Sequence, residues 1–317
     1  MGPPAVHSAA TAAPSSRGQP LRVAFLGPDV WLDACAPPRA ARGLQPGRFG
    51  ANVREGAQHT LSALADFAPH VSVVFDPPEV DGEVLEGLAG GGAGGVTLGV
   101  LVGDLPGEEQ RAGLAHLDRL LSFRPALTGM AAGGAEIWRA IPPPVSDAQF
   151  GEVRPLHAAP RAMSVGASTR HREAMLMPAK HHHDLLQVIH GVSGQPLAEL
   201  LGEYDVGVWV AREPGGGFGW QVCAHLAAGQ LLLAEQLTPA HGLERDIDYL
   251  HVDSPETLVW TLDRLGRFPE MHQRVRVRGR MKAEQFRASR VFARVLFDLL
   301  ADVGAFGRPA PGRPPAL

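Results

Sequence analysis

Asp205-Val206-Gly207-Val208-Trp209-Val210 runs directly into Ala211-Arg212-Glu213-Pro214-Gly215-Gly216-Gly217-Phe218-Gly219-Trp220-Gln221. A short apolar run closed by a glycine-rich segment reads as a buried strand emptying into a loop. Glycines in such a loop let backbone amides approach a ligand with no Cβ in the way. Beyond it Leu226-Ala227-Ala228-Gly229 reads as the end of a helix whose small residues pack closely on a sheet.

Working outward, the same alternation recurs. Ala162–Gly166, Leu186–Gly191, Leu231–Glu235 and Tyr249–Val252 are further strand candidates, with helices expected near 195–204, 219–228, 255–266 and 280–303. In the last of these Ala288, Val291, Phe292, Val295, Leu296, Leu299 and Val303 repeat every three or four residues, which makes one apolar stripe. Upstream, Pro142-Pro143-Pro144 removes three backbone donors and reads as a linker. Before it lies a second series: strands at Leu21–Gly27, Val71–Phe75, Val96–Val102 and Ala126–Thr128, with another at Ile137-Trp138. Helices are expected within Gly50–Phe67 and on the face formed by Leu114, Leu117, Leu120 and Leu121. Strands alternating with helices imply parallel sheets covered on both faces. The fold class is therefore α/β, with two Rossmann-like domains facing each other across a cleft. They span 21–145 and 146–303, with the last helix a candidate to cross back to the first. A disordered leader over 1–20 and a disordered tail over 304–317 are expected from their Ala, Pro and Ser content. Gly90–Gly95 reads as a flexible loop.

Composition excludes several classes. A net charge of −4 at a pI near 6.4 argues against a nucleic-acid binder. The one dense basic run, Arg274 to Arg280, reads as a solvated helix face. Two distant cysteines, Cys35 and Cys223, form no disulfide or zinc pattern and fit a reducing cytoplasm. No stretch approaches the roughly 18 apolar residues of a spanning helix.

Three constellations carry chemistry. In Ser164–Glu173 a strand ends at Gly166, Ser168 or Thr169 caps, and a helix begins at Arg170. Free amides and the positive helix end suit an anion, and Arg170, Arg172 and Lys180 would add charge-assisted hydrogen bonds. The alternatives are a diphosphate site or an ordinary capped, charged helix. Lys180-His181-His182-His183-Asp184, with His190 behind it, invites a metal. Consecutive side chains on a helix diverge by about 100°, so a surface histidine cluster is the expectation and no metal site is predicted. The glycine-rich loop quoted first is the third.

The C-terminal half, over roughly 150–302, resembles the donor domain of GT-B glycosyltransferases, in particular the CgeB-like group of glycosyl transferases family 1. Glu213-Pro214, three glycines and Phe218-Gly219 resemble that fold's Glu-Pro-Phe-Gly loop. Cys223-Ala224-His225-Leu226-Ala227-Ala228-Gly229 is similar to its Phe-Glu-Ala-Leu-Ala-Ala-Gly helix. His241-Gly242-Leu243-Glu244, Asp248-Tyr249-Leu250 and Ser254-Pro255-Glu256-Thr257-Leu258 resemble the segments that follow. Ser168–Glu173 and Lys180-His181 resemble the first donor-domain loop. The first half matches only in architecture.

The resemblance implies a bacterial-type, metal-independent transfer of a sugar from a nucleotide diphosphate sugar, which serves as co-substrate with no bound cofactor, to an unidentified acceptor. Glu213 and Arg170 are the expected catalytic residues. The expected donor-binding set is Gly27, Gly166, Ser168, Thr169, Arg172, Lys180, His190, Gly191, Gly215, Gly216, Gly217, Phe218, Gly219, Trp220, Gln221, His225 and Glu235. Ala224 stands where the family has the glutamate that holds the ribose hydroxyls, and Gln221 or His225 would have to replace it. An unpaired buried ribose costs about 1–3 kcal/mol, so a non-catalytic nucleotide or sugar-phosphate binding protein is the alternative. In the first half Asp29, Asp33 and His59 are candidate bases.

Overall fold

The computed structural model describes residues 19–50, 56–89, 95–132, 135–155, 157, 159–190 and 192–307. The predicted tail from Arg308, the leader apart from Gln19 and Pro20, most of the Gly90–Gly95 loop and Gly191 lie outside these residues.

The strands are β1 (Leu21–Gly27), β2 (Leu44–Gly50), β3 (Val71–Phe75), β4 (Val96–Leu101), β5 (Arg119–Ser122), β6 (Ala131–Ala132) and β7 (Ala135–Ala140), then β8 (Ala162–Val165), β9 (Leu185–Val188), β10 (Val206–Trp209), β11 (Leu231–Ala234) and β12 (Leu250–His251). The first seven form one sheet in the order β2-β1-β3-β4-β5-β7-β6, and the last five a second in the order β12-β11-β10-β8-β9. Every pairing is parallel except β6 with β7. The helices are α1 (Asp29–Cys35), α2 (Ala57–Phe67), α3 (Gly82–Ala89), α4 (Glu108–Arg111), α5 (Arg170–His182), α6 (Gly194–Glu203), α7 (Trp220–Ala227), α8 (Pro255–Arg267), α9 (Gln273–Ala283) and α10 (Ala288–Phe306).

Alternation along each strand builds a core on both faces of each sheet. Val23 and Phe25 of β1 join one cluster of the first sheet, Ala24 and Leu26 the other. Val206 and Val208 of β10 join one cluster of the second sheet, and Trp209 another.

Three expected elements needed correcting, and one strand was missed. Leu114 to Leu121 is not a helix face: a 3-10 turn covers Ala112–His116 and β5 follows. Adjacent Leu120 and Leu121 enter opposite core clusters, as neighbours in a strand must. Ala126–Thr128 is no strand, because Pro125 opens a 3-10 turn there. Strand β2 was invisible to apolar patterning: it holds Pro46 and two glycines, which an edge position tolerates. The predicted helix 280–303 is two helices, α9 and α10. Helix α9 ends at Ala283, a 3-10 turn covers Glu284–Phe286, and Arg287, with a ψ of 124°, breaks the run before α10. Helix α10 also continues past 303 to Phe306.

The basic run is only partly a solvated face. Arg276 is 4% exposed and donates to the carbonyls of Gly229 and Arg154, while Arg280 Nε donates 2.8 Å to the Gly151 carbonyl. These arginines tie α9 to the turn after α7 and to the segment that leads into the second sheet.

Two chain crossings connect the sheets side by side. Val145 N donates 2.8 Å to Phe286 O, and Ala288 N donates 2.8 Å to Val145 O. Helix α10 then lies on the first sheet, where Phe292 packs edge-on to Phe25 with ring centroids 4.9 Å apart and to Phe75 at 5.9 Å. At the other contact, Trp220 Nε1 at the start of α7 donates 3.2 Å to Ala34 O of α1.

Candidate functional site

In the second sheet the chain leaves β8 through α5 to β9 on one side, then returns to β10 on the other. The crevice beyond the carboxyl ends of β8 and β10 is therefore a topological switch point, where open parallel sheets bind ligands. Two loops meet there. The loop after β8 leads to α5, whose cap Thr169 accepts a hydrogen bond from Arg172 N at 3.2 Å and donates from its hydroxyl to Arg212 O at 2.9 Å. The loop after β10 carries Arg212, Glu213 and Pro214. Together they line an open cleft of about 550 Å³, bounded by Thr169, Arg170, His171, Arg212, Glu213 and Pro214.

Arg170 and Glu213, remote in sequence, thus share one cleft, and both are exposed. Arg170 has no side-chain partner among the described residues. The cleft combines two guanidiniums with the free amides of the α5 N-terminus, so its potential favours an anion.

Behind the cleft stands a supporting shell. Arg172 Nε donates 2.9 Å to Val210 O and Nη1 2.8 Å to Ala167 O. Burial lowers its pKa, with Arg212 pushing the same way and Glu235 opposing. Glu235, 8% exposed, accepts from Ala211 N at 2.6 Å and lies 2.8 Å from His171 Nε2. Ser168 Oγ bonds Glu173, a carboxylate that Ser168 and Lys180 together hold below its usual range.

The remaining predicted donor contacts divide. Gly166 closes β8 beside the cleft, and a side chain there would strike the Arg172 guanidinium. In the loop Gly215–Gly219, Gly216 has φ +85 and a Cβ there would collide with Gln236 O, so only glycine serves. Phe218 packs against His241 with centroids 4.6 Å apart, and Trp220 reaches α1. The Gln221 side chain curls back toward Gly219. His190 is exposed after β9. Gly27 ends β1 in the first sheet with φ +138, against the Phe75 carbonyl.

Two placements correct the sequence reading. Lys180 is rooted near the far end of α5, but its Nζ reaches back to Glu173 at 3.2 Å and to Gln187, and it is not among the residues lining the Arg170 cleft. His225 is 0% exposed, its Nδ1 against Gln230 Oε1 at 2.5 Å, and it packs on Gly207 of β10 rather than reaching the crevice. Ala224 is also interior, in the cluster of Met163, Val188, Leu197 and Leu201. Among the described residues no group of three or more His, Cys, Asp and Glu is placed to hold a metal ion. His181 and His182 are exposed at the end of α5, and His183 Nε2 lies 3.5 Å from Asp263.

Sequence reading missed two groups. Arg212 stood in the quoted loop without a role. Asp76 follows β3 at the first sheet's own switch point between β1 and β3, with φ +47. Burial raises its pKa, Glu79 adds to the rise, and a hydrogen bond from Trp31 opposes it. The only available signal was an aspartate directly after an apolar strand. Of the candidate bases, Asp33 is paired with Arg48, and Asp29 opens α1.

The fold is α/β with two parallel sheets, the GT-B architecture. A glycosyltransferase from Rickettsia africae shares it at TM-score 0.57 and 9% identity, covering 90% of this chain and 99% of that one. HepE of Anabaena, solved with UDP-glucose, matches at 0.54 and 9%, covering 89% and 100%. Sucrose-phosphate synthase from Thermosynechococcus elongatus matches at 0.53 and 12%, covering 90% and 99%. No protein-family model matches the chain, and no curated protein matches it in sequence. At these identities the likeness is one of fold.

Proposed function

We propose that the chain transfers a glycosyl group from a nucleotide diphosphate sugar to an acceptor hydroxyl. The observation that carries this reading is the single cleft lined by both Arg170 and Glu213 beyond β8 and β10. In the reaction the bond from the anomeric carbon to the diphosphate breaks, and its electron pair leaves with the diphosphate. The acceptor oxygen bonds to the same carbon and loses its proton.

The α5 N-terminus, Arg170 and Arg212 stabilise the negative charge on the departing diphosphate, so the reading needs no metal ion and no bound cofactor. The Glu213 carboxylate stabilises positive charge on the sugar. Asp76, which follows β3 at the switch point of the first sheet, is assigned the acceptor proton. Helix α7 carries no carboxylate for the ribose and His225 is interior, which leaves Gln221. The motif resemblance supports placement near the CgeB-like group. Two free, buried thiols, Cys35 and Cys223, support a reducing, cytoplasmic setting. Among the described residues no helix is long and apolar enough to cross a membrane.

Calorimetric titration with nucleoside diphosphates, followed by nucleotide release from a panel of donor sugars, tests the reading. Selective binding with release is expected. Absence of binding to every nucleoside diphosphate overturns it, and binding without release reduces the chain to a nucleotide-sugar binding protein.

A further inference from the structure

A second pocket, of about 540 Å³, lies where the two halves of the chain meet, apart from the Arg170 cleft. Its walls are the end of β7 with Arg139, the linker at Pro142, the first turns of α10 with Arg290 and Arg294, and His241 from the loop after β11. That volume is within the range of small-molecule sites.

Its charge is unbalanced. Arg290 and Arg294 are four residues apart on α10, so two like charges stand on one helix face, an arrangement that is unfavourable without an anion. Arg294 has no hydrogen-bond or ion-pair partner among the described residues. Arg290 lies 3.3 Å from Glu284, but that carboxylate is already shared with Arg280 at 3.0 Å and Arg287 at 2.6 Å. Arg139 pairs with Asp298 at 2.6 Å. Three guanidiniums therefore meet one private carboxylate and a fraction of another. His241 closes the inner wall, its ring packed on Phe218 and its Nε2 turned away from solvent.

We propose that this pocket binds a phosphate monoester, with Arg139, Arg290 and Arg294 on the phosphate oxygens and the His241 ring forming the inner wall. Guanidinium forks match phosphate geometry, and the remaining volume holds the organic part. Because β7 lies in the first sheet, α10 packs on that sheet and His241 follows a strand of the second, the bound anion sits between the two sheets. The site is independent of the donor cleft and stands or falls without it.

Thermal melting and calorimetry of the full chain, with inorganic phosphate and with glycerol 3-phosphate against chloride at matched ionic strength, test this. Both probes are expected to bind and to raise Tm. The Arg290→Gln/Arg294→Gln double variant is expected to bind at least tenfold more weakly. Arg294→Gln alone, at an exposed and unpartnered position, is expected to keep the wild-type Tm while losing affinity. In Arg170→Ala, which removes the anion contact of the other cleft, the component of binding that depends on Arg290 and Arg294 is expected to persist. No binding up to about 10 mM, or equal affinity in the α10 variants, overturns the proposal. Loss in Arg170→Ala alone places the phosphate in the other cleft and equally overturns it.

Discussion

Arg172 bridges the ends of two strands: its Nε donates 2.9 Å to the Val210 carbonyl while its Nη1 donates 2.8 Å to the Ala167 carbonyl. Neighbouring Arg170 makes no such contact and projects into the cleft. Two arginines in one helical turn therefore have different tasks. Arg172→Ala is expected to lower stability by about 2 kcal/mol, since two charge-assisted bonds, one of them to the buried Val210, are lost. Arg170→Ala is expected to stay within about 0.5 kcal/mol of wild type and to weaken nucleoside diphosphate binding at least tenfold. Denaturant melts and calorimetry on the same two variants separate the roles; reversed outcomes would exchange them.

Glu213 is exposed in the cleft, so its replacement does not disturb the core. Glu213→Gln is expected to keep nucleoside diphosphate binding and to slow nucleotide release from a donor sugar about a hundredfold. Asp76→Asn is expected to slow release while leaving donor affinity unchanged. An unaltered rate in either variant would remove that residue from the chemistry.

Phe292 joins the last helix to the first sheet through edge contacts with Phe25 and Phe75. Phe292→Ala is expected to cost about 3–5 kcal/mol. The loss reads out as a lower denaturant midpoint, and as early proteolysis of α10 if the helix detaches first. A midpoint unchanged from wild type would mean that α10 is not needed for the first core.

His225 is buried against Gln230, and burial pushes its pKa down to about 4. In the unfolded chain the imidazole titrates near about 6.5. Between these values the unfolded state binds more protons, so stability rises with pH across that window and is complete above it. As pH falls from about 6.5 toward 4 this contribution is lost. His225→Gln is expected to flatten that limb of the stability profile, measured as the urea midpoint at successive pH values. An identical slope in the variant would show that His225 does not set it.

The strands that sequence patterning found are those that are buried on both faces and rich in branched residues, such as Val71–Phe75 and Val206–Trp209. Those it missed depended on position in the sheet: β2 survives with Pro46 because it is an edge strand. The leucines at 114–121 kept a helical spacing that the chain does not use, because a sheet slot beside β4 takes Leu120 and Leu121 on opposite faces.

The amino-acid sequence by itself determined the alternating α/β plan, a capped start of α5 at Ser168 or Thr169 and the glycine loop after β10. Each follows from local periodicity or backbone freedom over a few residues. Only the tertiary structure decided which charged groups are available to a ligand. Arg170 and Arg172 are two residues apart on one helix start, yet one is open and the other is tied to two carbonyls. His225 lies one residue from the expected ribose position yet is sealed behind β10. The partners that make this difference, Val210, Ala167, Gly207 and Gln230, come from other strands and turns, and their approach is a property of packing that no local pattern encodes.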